Sequence, residues 1–283
     1  PETRPAKILD ERLLIHADVD PTVIGRTWPA ESGIVADART LLDRLGNPEC
    51  EAAAALASGA GERRQWLADV RATGSLLYDL DHCESDSRPI HPARVIADLR
   101  AASSPDTTLV VDSGAHRAFC GHYWSSQNPR QYISATNIGP MGWAIPAAIG
   151  AKLARPDSPV TCVTGDGCML MHGLEIQTAA RYGVDVTFVL INNGALGNVW
   201  LRAHEKGPGP AAMTEIPIHD WAAIAKGLGA GGIRVEDPDE LTAAFEEAQA
   251  TPGPVLIDVR CDRSAATPVA PWQQAKSEWV DSD

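Results

Sequence analysis

The sequence is short of positive charge. Its 24 Lys and Arg are outnumbered by 37 Asp and Glu, a formal net charge of −13. That balance argues against a surface built for nucleic acid or anionic membrane, both of which reward a basic patch. Long apolar runs are missing as well, and none approaches the ~20 residues that span a bilayer. The opening PETRPAKILDER is polar and has no apolar core, so no signal peptide is read there. Cysteine is scattered: Cys50, Cys83, Cys120, Cys162, Cys168 and Cys261 form no CxxC pair. A disulfide scaffold is denser and a zinc site needs clustered ligands. The six therefore read as free, mostly buried thiols in a reducing, cytoplasmic setting. What remains is ordinary for a core-forming chain, with 44% hydrophobic and 22% charged residues. At roughly 150 residues per domain, 283 residues allow one large domain or two small ones.

The first part of the chain reads as an incomplete layer. Arg12–Asp20 and Gly33–Asp37 are short strand candidates, and Ala38–Gly46 is a helix candidate closed by Gly46. Two strands and a helix cannot bury their own faces without a partner layer. Pro48–Ala72 is rich in helix formers. The expected division is 1–78, then a polar, proline-containing linker at 79–91, then a domain at 92–283. In that domain six strand candidates alternate with helices: Thr108–Asp112, Tyr132–Ala135, Val160–Thr164, Val186–Ile191, Gly232–Val235 and Val255–Val259. The helical patterns are Gly114–His122, Trp143–Leu153, Gly173–Tyr182, Asp220–Leu228 and Pro238–Ala250, the last capped by Asp237. This alternation predicts an α/β fold: a doubly wound, mainly parallel six-stranded sheet with helices on both faces.

In such sheets ligands bind beyond the carboxyl ends of the strands. One strand runs into Gly165-Asp166-Gly167 and a later one into Asn192-Asn193-Gly194, with the 24 residues 168–191 between. The glycines let backbone N–H groups approach phosphate closely. Asp166 offers a carboxylate oxygen and Asn193 a neutral amide oxygen, which suits Mg²⁺ with its preference for few carboxylates plus phosphate oxygens. Each motif alone reads as a turn; together, after two strands joined by one helix, they point to a magnesium–diphosphate site.

The pair of motifs resembles the thiamine diphosphate (ThDP) motif of the acetolactate synthase-like enzymes. TGDGCMLMHGLEIQTAARYGVDVTFVLINNGALG carries the resemblance, with NIGPMGWAIPAAIGAKLARP, VDSGAHRAFCGHYW and GPVLIDVRCD. LLIHADVDPTVIGR and GIVADARTLL resemble the end of that family's central domain. The resemblance implies a ThDP-binding fold preceded by a partial central domain. It implies that Asp166, Asn193 and the carbonyl of Ala195 hold Mg²⁺. Gly165, Gly167, Cys168, Asn193 and the loop Ser113, Gly114, Ala115 and His116 would meet the diphosphate. Gly139 would accept from the aminopyrimidine, and Met141 would prop the cofactor in its bent shape. Read without the family, Met141 is core. Trp143 reads as packing, Glu175 as structural, and His116, His122 and His172 as surface or core histidines.

No segment resembles the family's pyrimidine-binding domain, which carries the glutamate that activates the cofactor. The implied arrangement is a second chain supplying that domain, in an α₂β₂ assembly, with the apolar segment GPMGWAIPAAIG near the shared face. The implied reaction is decarboxylation of a 2-oxo acid and transfer of the acyl carbanion to an acceptor carbonyl. A simple decarboxylase subunit and a non-catalytic scaffold or regulatory chain are the alternatives. On the substrate side the candidates are Asn198, Val199 and Arg202. Asn198 and Arg202 stand where acetolactate synthases have Met and Trp. Arg202 reads equally as a carboxylate or phosphate clamp and as a surface residue.

Overall fold

The computed structural model describes residues 13–72 and 80–268. The opening PETRPAKILDER, the first linker residue Asp79 and the tail of the predicted 92–283 domain lie outside them. The described residues fall into two compact units, one ending at Ala72 and one starting at Leu80.

In the first unit, β1 (Ile15–Asp18) runs parallel to β2 (Ser32–Val35), with Ile15 opposite Ser32 and Asp18 opposite Val35. Then come α1 (Ala38–Gly46), α2 (Glu51–Ser58) and α3 (Ala60–Ala72). The Asp37 side chain caps α1 by accepting from the N–H groups of Arg39 and Thr40. Ile15, Val35, Leu42 and Trp66 all remain exposed. Two strands cannot cover both of their faces, as their number alone requires.

The second unit begins with α4 (Pro92–Ala102), β3 (Thr108–Val111), α5 (Ala115–Tyr123), β4 (Tyr132–Ser134) and α6 (Ala144–Ala154). It continues through β5 (Val160–Gly165), α7 (Asp166–His172), α8 (Ile176–Tyr182), β6 (Thr187–Asn192), α9 (Gly197–His204) and α10 (Pro208–Ala212). It closes with α11 (Trp221–Gly227), β7 (Gly231–Val235), α12 (Leu241–Ala250) and β8 (Val255–Arg260). The six strands form one all-parallel sheet in the order β4-β3-β5-β6-β8-β7.

Strand side chains alternate between two cores, which explains their unbroken apolar runs. Leu109, Val111, Val163, Val189, Ile191, Ile257 and Val259 face α4, α5 and α12. Val110, Cys162, Phe188, Leu190 and Leu256 face α6, α8 and α11. Fully burying each such side chain contributes about 1.5–3 kcal/mol, enough to fix strand register against a one-residue slip.

The predicted strands match this sheet in order and nearly in bounds. Four helices differ from the reading. The chain is already helical from Asp166, directly after Gly165, where a phosphate loop was expected. α4, α9 and α10 are further additions. α4 has its own signals: Pro92 at its first position and the His91 ring accepting from the Ala93 N–H. Ile90, inside the expected linker, is fully buried and extends β8 through the Arg260 carbonyl and the Asp262 N–H. Within GPMGWAIPAAIG, Ala144, Ile145, Ala148 and Ile149 pack against the sheet, while Pro140, Pro146 and Gly150 are exposed. Its helix is apolar on the side that a parallel sheet must have covered. All six cysteines are free, and the four on the sheet or its helices are buried. Among the described residues, no helix is long and apolar enough to cross a membrane.

Candidate cofactor site

Strand order reverses between β3 and β5: the chain leaves β3 toward β4 at one edge and returns on the other side. Such a switch point opens a crevice at the carboxyl ends. A cavity of about 280 Å³ lies there. Its lining includes Ser113, Gly114, Ala115 and His116 after β3, and Gly165, Asp166, Gly167 and Cys168 at the end of β5. Asn193, Ala195, Asn198 and Val199 join from beyond β6, and Gly139 and Met141 from beyond β4. Arg202 is exposed and outside the cavity wall, on the same helix as Asn198 and Val199.

Asp166 is almost completely buried. Its Oδ1 accepts from the Gly167 N–H at 2.8 Å, and its Oδ2 from the N–H groups of Gly194 at 2.6 Å and Ala195 at 3.3 Å. Burial raises its pKa, against the pull of those backbone donors. Asn193 Oδ1 accepts from the Ala195 N–H at 3.2 Å, which folds the loop so that amide and carboxylate face one cavity. Over this loop lies a strap: Leu196 N–H donates to the Thr214 carbonyl and Ile216 N–H to the Gly194 carbonyl, both at 2.9 Å.

Gly167 is closely packed by the ends of two flexible side chains. A Cβ there would lie 2.7 Å from Leu196 Cδ2 and 2.8 Å from Met141 Cε. Cys168 ties two loops together, its thiol donating to the Ser113 carbonyl at 3.3 Å. Burial pushes that thiol up to about 12, so it stays protonated and keeps donating.

His116 is buried, and its Nε2 has no protein partner. Gly165 makes room for it: a Cβ there would be 3.1 Å from the imidazole Cε1. Asp112, where sequence reading saw only a strand end, lies beside it. The Asp112 carboxylate accepts from Thr164 Oγ1 at 3.0 Å and from the Ser113 N–H at 2.9 Å. Burial drives the His116 pKa down to about 4, although the Asp112 charge pulls the other way. The folded value lies below the unfolded one, so the native state binds fewer protons between the two. Stability is therefore expected to fall as pH drops from about 6.5 toward 4, by at most about 1.4 kcal/mol per pH unit. Denaturant titrations of wild type and His116→Gln across that window check this: the variant's slope should be shallower.

The Glu175 carboxylate accepts from Thr178 Oγ1 at 2.8 Å, and His172 is exposed. Among the described residues no three His, Cys, Asp or Glu side chains gather to hold a metal.

Residues 112–259 match the family described as "Thiamine pyrophosphate enzyme, C-terminal TPP binding domain". The chain belongs to this family. The domain binds thiamine diphosphate, with Mg²⁺ as its usual partner ion. The cavity fits that pair: one buried carboxylate, one amide and a loop carbonyl are hard oxygen donors, beside a closely packed glycine. The chain is 33% identical over 249 residues to the acetolactate synthase isozyme 3 large subunit of Escherichia coli K12, covering 86% of this chain and 42% of that protein. It is 32% identical over 259 residues to the acetolactate synthase large subunit of Haemophilus influenzae, covering 89% and 43%. For the Corynebacterium glutamicum large subunit the figures are 33% over 253 residues, 87% and 39%. The chain thus spans about two fifths of the length of these curated relatives.

Proposed function

We propose that this chain is the cofactor-holding half of a ThDP-dependent carboligase of the acetolactate synthase kind. The observation that carries the reading is Asp166: a buried carboxylate turned, with Asn193, into the cavity at the sheet's switch point. In this reading Asp166, the Asn193 side chain and the Ala195 carbonyl hold Mg²⁺. The backbone N–H groups of Gly167 and Cys168 and the Ser113–His116 loop receive the diphosphate. His116, neutral at pH 7 because of its burial, stands on the cavity wall with its Nε2 unpartnered. Gly139 and Met141 place the aminopyrimidine end. Bound there, the cofactor supplies the electron sink that lets carbon dioxide leave a 2-oxo acid and a new carbon–carbon bond form. The protein's share is to orient the reactants and exclude water. Asn198 and Val199, at the cavity mouth, face the substrate.

The site is completed by a pyrimidine-binding domain on a second chain, with two copies of each. Exposed apolar side chains cluster in sequence around the cavity residues: Ile138, Leu170, Met171, Leu174 and Met213. Such side chains beside a site mark a surface that another protein covers. Residues 1–78 form the last part of the central domain, and their exposed Leu42 and Trp66 belong against the rest of it.

Product analysis tests the carboligation. With the second chain, Mg²⁺, ThDP and pyruvate, the expected product is a coupled hydroxyketone. Acetaldehyde as the sole product would establish simple decarboxylation instead.

A further inference from the structure

One cation on the cavity wall has no part in the reading above. Arg263, three residues past the end of β8, is the single Lys or Arg among the described lining residues. The strand order fixes where it lies. Gly139 and Met141 follow β4 at one edge of the sheet, the Asp166 and Asn193 loops follow β5 and β6 in the middle, and Arg263 follows β8 on the far side. A cofactor whose metal is held by Asp166, Asn193 and Ala195 would have its phosphates in the cavity whose lining those residues share with Arg263.

The guanidinium is held in place. Its Nη1 lies 3.2 Å from Glu215 Oε1, and its Cζ sits 5.8 Å from the Trp200 ring centroid. Glu215 in turn bridges Ala195 through the backbone, so Arg263 is fastened to the strap over the proposed metal loop. One carboxylate does not exhaust five N–H donors in a rigid fork. The neighbouring Asp262, which also lines the cavity, is tied to its own loop, its Oδ1 accepting from the Ser264 N–H and hydroxyl at 2.8 and 2.7 Å.

We propose that Arg263 pairs with the terminal phosphate of the bound cofactor and makes the site prefer a diphosphate to a monophosphate. This rests on the cofactor reading of the cavity. The test is calorimetric titration of wild type, Arg263→Met and Arg263→Lys with Mg²⁺–thiamine diphosphate and Mg²⁺–thiamine monophosphate, with melting curves alongside. Arg263→Met should weaken diphosphate binding about tenfold to a hundredfold, as for the loss of a charged hydrogen bond, and change monophosphate binding less than about twofold. Arg263→Lys should recover part of the loss, keeping the charge without the fork. Equal losses for both ligands with a lowered melting temperature would assign Arg263 to the fold alone and overturn the proposal. So would unchanged diphosphate binding, including the case where only the affinity for a 2-oxo acid falls and the partner of Arg263 is a carboxylate. Failure of wild type to bind thiamine diphosphate with Mg²⁺ would overturn the cofactor reading itself.

Discussion

Asp166→Ala is expected to abolish binding of Mg²⁺ and thiamine diphosphate. Asp166 is the one charged group in the proposed metal set, and removing one partner of a buried charge pair costs about 3–5 kcal/mol, or two to four decades in Kd. The fold should survive. Loss of the carboxylate leaves the Gly194 and Gly167 N–H groups without their acceptor. It also relieves a charge that burial disfavours, as the raised pKa shows. An acid whose folded pKa lies above its unfolded value destabilises the fold once ionised, so the two effects oppose. Titration calorimetry together with thermal melting separates binding from folding. Unaltered cofactor affinity in Asp166→Ala would remove the metal assignment.

The second large effect is expected of the wild-type chain by itself. It should bind the cofactor's diphosphate end and yet decarboxylate no 2-oxo acid. In the proposed arrangement the group that activates the pyrimidine ring sits on another polypeptide. Adding that polypeptide should restore turnover and produce a complex of fixed stoichiometry, measurable by light scattering. Obligate interfaces often bury more than ~2,000 Å². Before it is added, exposed Ile138, Leu174 and Met213 should make the isolated chain prone to self-association. Sustained carbon dioxide release by the isolated chain would contradict the arrangement and direct attention to Glu175, the carboxylate on the crossover between β5 and β6.

The sheet is legible in the sequence because its strands are buried on both faces and so read as short apolar runs between helices. The cavity is legible for a related reason: its residues follow directly from strand ends, where Gly, Asp and Asn interrupt those runs. What hides is chemistry carried without a local pattern. α7 is masked because Gly165-Asp166-Gly167 has the composition of a turn, whereas its backbone enters a helix at once. Asp112 looks like the end of a strand until Ser113, Thr164 and His116 are placed around it. Arg263 carries no signal at all. Its partners Glu215 and Trp200 come from distant stretches of chain, and only the fold brings them together. Arg202, by contrast, stands in a sequence position suited to substrate, and the helix leaves it exposed.

The order of strands also bears on how the domain is made. β8 is the last strand of the sheet in chain order, and yet it lies between β6 and β7. On a ribosome, where domains form from the N-terminal side first, β7 emerges with no partner, because its ladder runs to β8 alone. β6 meanwhile waits with one edge open. Only when Val255–Arg260 leaves the exit tunnel does a single strand satisfy both neighbours. Closure of the sheet thus waits for β8, and nascent chains stalled before residue 255 should expose the unpaired edges of β6 and β7 to chaperones and to each other.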